Sequence, residues 1–217
     1  MPTENKSRRK QSERSHVTRG KLTQATLQCI ARDGYAATSI TRIIDEAGLS
    51  RGAHIHHFST KEQLIRATCK LVYANMYRNV GRIMAGTLDG NDRVRQLIRG
   101  FWEEVFESTE GRFLTELIVS ARADPAVAEF IKPSLQRISD DFDIASNHYF
   151  ESRDAKDTAA SIIQKAIWEM WGVQLRSIIV RKPSEITEHI ETLILRLDTQ
   201  LKPRTDIEPL PNLPSET

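Results

Sequence analysis

The sequence predicts an all-α protein with a small N-terminal helix-turn-helix domain and a larger helical C-terminal domain, about nine helices in total. Hydrophobic residues recur with a helical period along nearly the whole chain and do not alternate as they do in strands. Residues suited to capping helices divide this pattern into segments. Between two short segments, Ala47-Gly48-Leu49-Ser50 has the composition of a tight turn.

The predicted helices follow one another with short connections. They cover residues about 18–33, 38–47, 50–57, 60–85, 92–108, 111–122, 125–151, 155–181 and 185–201. Gly34 is placed to end the first helix as a left-handed cap. Thr38 and Ser39 are both suitable N-caps for the second helix, and Gly48 permits the bend that stops it.

Capping signals and prolines mark the later helices. Thr60 and Gln63 have the spacing of a capping box at the start of the fourth helix. Asp124-Pro125 is a favourable helix start. Proline lacks an N–H, and at the first helical position that N–H would have no partner in the helix. Pro133 is expected to kink the helix that follows. Lys182-Pro183-Ser184 separates the last two helices.

Composition limits the function classes. The 217 residues are 39% hydrophobic, enough for a substantial core. Cys29 and Cys69 lie in apolar helical stretches without a partner at metal-ligand spacing, which favours packing roles in a reducing interior. A signal peptide and an apolar run of ~20 residues are both missing, so we expect a cytoplasmic, nucleoid-associated protein. Glycine-rich phosphate loops and hydrolase motifs are also missing, so the sequence predicts neither an enzyme nor a cofactor.

Positive charge is concentrated at the N-terminus. Residues 1–21 carry seven basic and two acidic side chains, a net charge of +5, whereas the whole chain has +2. Such an arm is either a solvated tail or a segment that binds nucleic-acid phosphates. The predicted organisation is a disordered basic arm at 1–17, a DNA-binding domain at 18–62, a ligand-binding and dimerisation domain at 63–201, and a disordered, proline-rich tail at 202–217.

The segment from Gly34 to Glu62 contains the residues that indicate DNA binding. Leu49 fills the angle between two short helices and Ser50 caps the second one, which is then free to enter a major groove. The order of Gly34-Tyr35, Thr38-Ser39, Ala47-Gly48-Leu49-Ser50 and a terminal Phe58-Ser59-Thr60-Lys61-Glu62 resembles the TetR (tetracycline repressor) family over residues 18–65. The resemblance implies a three-helix DNA-binding domain, a fourth helix as hinge, and dimers that release operator DNA when a small molecule binds.

One departure from the family concerns the recognition helix. Where the family has Leu-Tyr or Phe-Tyr, with the tyrosine on a phosphate, this chain has His54-Ile55. Arg51 is suited to guanine or phosphate, Ala53 to a thymine methyl, and His56 to a base edge or phosphate. The predicted DNA-binding residues are Thr38, Ser39, Thr41, Arg42, Ser50, Arg51, Gly52, Ala53, Ile55, His56, His57 and Lys61.

Two alternatives apply to these residues. Arg51 and Lys61 could be merely solvated, and Lys61 otherwise resembles the family's phosphate-contacting lysine at a helix N-terminus. His54, His56 and His57 could instead hold a metal ion, since imidazoles bind Zn²⁺ and Ni²⁺. No cysteine and no convincing third ligand lie within a turn of them, so we predict no metal site.

The C-terminal helices offer more apolar surface than one helix contact needs. Candidate residues for a mainly apolar ligand pocket are Trp102, Phe106, Phe113, Leu117, Phe142 and Trp168. Near-heptad spacing in the last helix predicts a twofold interface. The candidate interface residues are Trp171, Leu175, Ile186, Ile190, Leu193, Ile194 and Leu197. Ordinary core packing is the alternative for both sets.

These patterns lead to one functional hypothesis and its rivals. We predict a homodimeric, sequence-specific DNA-binding regulator, a repressor released from its operator by a small, mainly apolar ligand. Its partners would be a pseudo-palindromic DNA operator, a second copy of the chain and a small effector, with no membrane. The alternatives are a ligand-independent regulator or activator, and a helical interaction protein that does not bind DNA.

Overall fold

The computed structural model describes residues 3–50, 57–86 and 92–210, with side chains from Glu13 onward. Its helices are α1 (Thr3–Asp33), α2 (Ile40–Glu46), α3 (Lys61–Gly86), α4 (Arg93–Phe101), α5 (Thr109–Ala121), α6 (Pro125–Tyr149), α7 (Ala159–Ile179) and α8 (Pro183–Gln200), with a π-helical segment at Trp102–Phe106. Two strands, β1 (Phe150–Ser152) and β2 (Leu201–Pro203), complete the described elements. The predicted helical fold class is confirmed. The predicted helix at 50–57 lies almost wholly outside the described residues.

Local signals set the boundaries around α2. Ser39 is the N-cap, and its Oγ accepts a hydrogen bond from the Arg42 N–H at 3.2 Å. Gly34 and Gly48 have φ of +85° and +63°, the left-handed region that L side chains rarely adopt. The predicted cap at Gly34 and the bend at Gly48 are therefore confirmed.

The chain forms two compact units. The N-terminal unit comprises residues 1–72 and 112–132, and the C-terminal unit comprises residues 73–111 and 133–217. In the N-terminal unit, α1 packs on α2 through a core of Leu22, Ala25, Cys29, Ile43, Ile44, Phe58 and Leu64. Leu49 packs against the same core, as expected for the residue that fills the angle of the turn.

The C-terminal unit has its own, larger core. It is built by one face each of α4, α7 and α8, together with residues from α3, α6 and the two strands. The apolar stripe of α8 is buried here, and its members are Ile186, Ile190, Leu193, Ile194 and Leu197. This stripe therefore packs within a single chain.

Both termini differ from the prediction of disorder. Helix α1 extends back to Thr3, because residues 3–19 contain neither proline nor glycine and are rich in residues with good helix propensity. At the other end, β2 pairs antiparallel with β1, with Glu151 opposite Lys202. Ile207 and Leu210 then pack against the C-terminal core. The predicted tail at 202–217 is thus ordered through residue 210, because two apolar side chains and the strand bonds anchor it.

The segment Trp102–Phe106 interrupts the predicted 92–108 helix with a π-helical turn. Such turns leave backbone carbonyls off the regular helical ladder and occur often at functional sites. The buried Gln174 side chain donates a hydrogen bond to the Phe106 carbonyl, and Ser108 Oγ donates to the Val105 carbonyl at 2.6 Å. The chain then turns closely, since a Cβ added to Gly111 would lie 2.1 Å from the Val105 carbonyl oxygen.

We expect Gly111→Ala to destabilise the protein by about 2 kcal/mol or more, because backbone rather than a flexible side chain occupies the space of the methyl group. Urea unfolding monitored by circular dichroism measures this change. Gly20→Ala is the control, since nothing lies within 4 Å of its Cβ position in α1. That variant should be more stable by roughly 0.5–1 kcal/mol, and an equal loss in both variants would contradict the steric argument.

Candidate nucleic-acid interface

The residues predicted to contact DNA fall into described and undescribed groups. Ser39, Thr41 and Arg42 at the start of α2 are exposed, as is Ser50 in the turn, and His57 is half-buried. Five further candidates, Arg51, Gly52, Ala53, Ile55 and His56, lie outside the described residues. The structure therefore places one edge of the predicted surface and leaves the recognition helix a prediction.

Thr38 does not belong to the exposed edge. Its side chain is 1% exposed, and its Oγ1 donates a hydrogen bond to the Gly34 carbonyl at 2.8 Å. A hydroxyl that closes the turn between α1 and α2 is not presented to DNA. The prediction that Thr38 contacts DNA is therefore corrected, because its side chain has a structural role in the turn. Ser39, the next residue, is the N-cap of α2.

An ion-pair cluster ties α1 to α2 behind this edge. Arg42 Nε lies 2.8 Å from Asp33 Oδ2, and Arg32 Nη2 lies 2.9 Å from the same oxygen and 3.0 Å from Glu46 Oε2. Hydrogen bonding by Arg32 first, and then by Arg42, lowers the pKa of Asp33. Arg42 remains half-exposed, so its other N–H groups face solvent, where a phosphate could be met.

Lys61 lies in a partly buried position beside Tyr35. Its Nζ donates a hydrogen bond to the Tyr35 carbonyl at 2.6 Å and lies 4.0 Å from the centre of the Tyr35 ring. Burial lowers the pKa of Lys61, and the nearby Asp124 carboxylate partly opposes that effect. An ammonium has three donors, so the Tyr35 carbonyl occupies one of them and phosphate binding by Lys61 stays a prediction.

Tyr35 connects this end of the motif to the connection between α5 and α6. The Tyr35 hydroxyl donates a hydrogen bond to Asp124 Oδ2 at 3.3 Å. Asp124 also accepts a bond from the Ala126 N–H through Oδ1, at the start of α6. Burial, and then the negative charge of Asp124, raises the pKa of Tyr35. Sequence reasoning missed this contact, although Tyr35 was visible as the aromatic residue of the motif.

Helix α5 also approaches the turn after α1. A Cβ added to Gly34 would lie 3.1 Å from Glu116 Oε2. Residues 112–132 therefore pack with the helix-turn-helix in the N-terminal unit. Phe113 and Leu117, two of the predicted pocket residues, are fully buried within this unit.

The remaining pocket candidates differ in their exposure to solvent. Trp102, Phe106 and Phe142 are buried in the core of the C-terminal unit. The rings of Trp102 and Phe106 are stacked with their centres 6.1 Å apart. Trp168 points outward and is 60% exposed, so it leaves the pocket set. Phe113 and Leu117 thus belong to the N-terminal unit, whereas Trp102, Phe106 and Phe142 belong to the C-terminal unit.

The predicted interface residues also divide. The five residues of the α8 stripe are at most 8% exposed, because they form the core of their own chain, so they leave the interface set. Trp171 is half-buried and Leu175 is 43% exposed. Periodicity identified the apolar faces, but the face that α8 presents to α4 and α7 depends on tertiary packing.

The described residues contain neither a cluster of metal ligands nor a membrane-spanning helix. Within the described ranges, no three His, Cys, Asp or Glu side chains group as metal ligands, and His54 and His56 lie outside those ranges. None of the helices in the described part of the chain has the length and apolar character needed to span a bilayer.

The N-terminal unit contains the first helix and the turn of a helix-turn-helix, a motif typical of DNA-binding proteins. Residues 22–68 match the family of bacterial regulatory proteins called the tetR family. This N-terminal part of the chain is therefore similar to the tetR family, and the relatives described below are named as HTH-type transcriptional regulators.

Two characterised sequences and one solved structure illustrate the relationship. The HTH-type transcriptional regulator CymR of Pseudomonas putida is 35% identical over 130 residues, which cover 60% of this chain and 64% of CymR. The HTH-type transcriptional activator FasR of Mycolicibacterium smegmatis is 28% identical over 59% of this chain and 58% of FasR. The chain thus spans about three fifths of the length of these relatives. The crystal structure of reduced E. coli NemR shares the fold, with a TM-score of 0.68 and 15% identity over 87% of this chain and 100% of NemR.

We expect Tyr35→Phe to lower the free energy of unfolding by about 1 kcal/mol, because it removes one partly buried hydrogen bond and keeps the ring beside Lys61. Asp124→Ala should cost roughly 2 kcal/mol, since it also removes the acceptor at the start of α6. Chemical denaturation measures both changes. Equal losses in the two variants would contradict the double role of Asp124.

Proposed function

We propose that the chain is a homodimeric repressor that binds a pseudo-palindromic operator and releases it when a small ligand binds the C-terminal unit. The observation that best supports DNA binding is the exposed edge of Ser39, Thr41 and Arg42 beside the turn at Gly48. This edge flanks the predicted recognition helix at residues 50–57. The basic N-terminal arm supports the same function by adding charge that displaces counterions from phosphates.

Selection of binding sites from random DNA tests this function in the full-length chain at moderate salt. We expect enrichment of an inverted repeat, because a twofold dimer places two recognition helices on half-sites about one helical turn apart, or a multiple of that spacing. Arg51→Ala and His56→Ala should each weaken binding to the selected site by about 1–3 kcal/mol where a base contact is lost. Fluorescence anisotropy measures these affinities.

Arg78→Ala is the matched control for that experiment. Arg78 is an exposed arginine whose Nη2 donates a hydrogen bond to Asn75 in the C-terminal unit, so its loss should leave DNA affinity unchanged. Selection that enriches no inverted repeat would contradict operator binding. Unchanged affinity in Arg51→Ala or His56→Ala would remove that residue from the site. A reporter that is activated rather than repressed would favour the activator alternative, which is the role named for FasR.

An exposed apolar face on α7 and α8 supports dimerisation. Its members are Trp168, Leu175, Ile178, Ile179 and Leu195, which are between 43% and 88% exposed. The residues on α7 recur at helical spacing, and the Arg196–Glu169 ion pair at 2.6 Å joins the two helices beside Leu195. Contiguous exposed apolar surface marks an interaction site. A second copy is the proposed occupant, because a helix-turn-helix regulator needs two half-sites.

We expect Trp168→Glu to weaken the dimer by about 2 kcal/mol or more, roughly 30-fold in dissociation constant, because it replaces the largest apolar side chain of the proposed interface by a charge. Sedimentation equilibrium measures the monomer–dimer constant. Ile144→Glu is the control, since Ile144 is 61% exposed on α6, outside this face. A monomeric wild-type protein at micromolar concentration, or an equal effect of both variants, would contradict this interface.

Ligand response is proposed for the region around the π-helical segment. Trp102 and Phe106 lie within it, Phe142 packs on Phe101 with ring centres 5.1 Å apart, and Gln174 is buried against it. An apolar enclosure with a few polar groups is typical of small-molecule sites. Ligand binding would act through a differential affinity for two arrangements of the chain, a coupling of typically 1–3 kcal/mol. The predicted hinge for this coupling is α3, the fourth helix of the sequence prediction.

A further inference from the structure

Arg93, the first residue of α4, is a buried arginine. It is 7% exposed, whereas the other two arginines of α4, Arg95 and Arg99, lie at the surface and share the Glu191 carboxylate. Arg99 Nη2 lies 2.5 Å from Glu191 Oε1. Arg93 takes part in none of the ion pairs formed between described residues. One helix therefore carries two neutralised arginines outside and one buried arginine inside.

Two of the three nitrogens of the Arg93 guanidinium have no hydrogen-bond acceptor among the described residues. Nη1 donates a hydrogen bond to the Arg204 carbonyl at 2.6 Å, and Cζ lies 5.8 Å from the centre of the Phe150 ring. Nε and Nη2 are buried and have no acceptor in the described part of the chain. A buried cation without a counter-charge is costly, and a carbonyl and the face of one aromatic ring offset only part of that cost. Burial accordingly lowers the pKa of Arg93.

The two unsatisfied nitrogens define the chemistry that would satisfy them. Nε and Nη2 form the edge of a guanidinium whose two parallel N–H groups match the two oxygens of a carboxylate. Nη1 is fixed by Arg204, so this edge has a set direction. The start of α4 adds the positive end of a helix dipole. Asp92, its N-cap residue, makes no side-chain cap bond and pairs instead with Arg95 at 2.7 Å.

The segment at residues 204–210, which we call the strap, begins at the residue whose carbonyl accepts the Arg93 hydrogen bond. Arg204 N–H donates to the Tyr149 carbonyl at 2.9 Å, and Leu210 N–H donates to the Tyr149 hydroxyl at 2.9 Å. His148 Nε2 lies 2.8 Å from the Glu208 carbonyl oxygen. Because the Arg204 carbonyl that holds Arg93 belongs to the strap, release of the strap would uncover the guanidinium.

We propose that Arg93 anchors a binding site for the carboxylate group of a small organic acid, held by Nε and Nη2 beneath the strap. The proposal rests on the small-molecule response proposed above and gives the chemical class of the ligand, but it places the carboxylate at the start of α4 rather than at the π-helical segment. The buried ring of Phe150 and the apolar core beside it favour an acid with an apolar body. A carboxylate of the chain itself, at Asp89 or Glu216 outside the described residues, would have the same chemistry, and the experiment separates the two sources.

The test uses the full-length chain labelled with ¹⁵N-arginine, without DNA. The Arg93 Nε–H signal is assigned by its loss in Arg93→Lys. Sodium benzoate and sodium hexanoate are titrated at constant ionic strength, with benzamide and hexanamide as uncharged controls. We expect at least one carboxylate to shift the Arg93 signal, slow its exchange with water and raise the Tm by a few degrees at saturation. The matching amide should do neither.

Two variants make the readout specific to Arg93. Arg93→Lys keeps the charge but loses the two-pronged edge, and it should weaken the carboxylate response at least ten-fold. Arg99→Lys, on the exposed side of the same helix, should respond like the wild-type protein. An equal response in Arg93→Lys and wild type would place the binding elsewhere and overturn the proposal. So would the lack of a carboxylate-specific shift for both acids.

The internal alternative has its own signature. An Arg93 signal that is already protected without added acid, and that loses protection in Asp89→Asn or Glu216→Gln, would assign the site to the chain's own carboxylate and overturn the proposal. Operator release is measured separately. Carboxylate binding at Arg93 without any change in operator affinity would uphold this site and contradict the proposed ligand response. Loss of the Arg93 response alone would leave operator binding untouched.

Discussion

The burial of the α8 stripe in its own chain is the constraint on which the C-terminal unit depends. Five aliphatic side chains of α8 face α4 and α7, and their removal from water supplies much of the hydrophobic stabilisation of that core. This placement brings the end of α8 to β1, so that the short β2 can pair with it. It also sets Arg204 against Arg93 and turns Trp168 and Leu195 toward solvent.

Local features of the fold were predictable from sequence, whereas the assignment of apolar faces was not. Gly34, Gly48 and Ser39 act through their own backbone or through neighbours a few residues away, so their roles follow from residue type and order. An apolar stripe has the same periodicity in a core as in an interface, and only tertiary packing separates the two. The three-residue strands are too short to show alternation, and their pairing joins residues about fifty positions apart.

In the candidate functional sites, too, local features were predictable from sequence and long-range contacts were not. The motif predicted the turn and the exposed edge of α2. The contact between Tyr35 and Asp124 could not be predicted, because the two residues are 89 positions apart and no periodic pattern connects them. The unusual position of Arg93 is visible in the sequence, because Arg93 stands one turn before Leu97 and two turns before Phe101, on the buried face of α4. A charged residue on an apolar face is a local contradiction, and such contradictions are expected at functional sites.

Both cysteines of the chain are buried, and burial raises the pKa of each thiol, that of Cys69 to about 12. The reactive form of cysteine is the thiolate, which is scarce in both side chains at neutral pH. A cysteine introduced at the surface would therefore carry most of the thiol reactivity of the molecule. A single fluorophore or spin label can be attached there while Cys29 and Cys69 stay in place, so the label reports on the protein without disturbing either core.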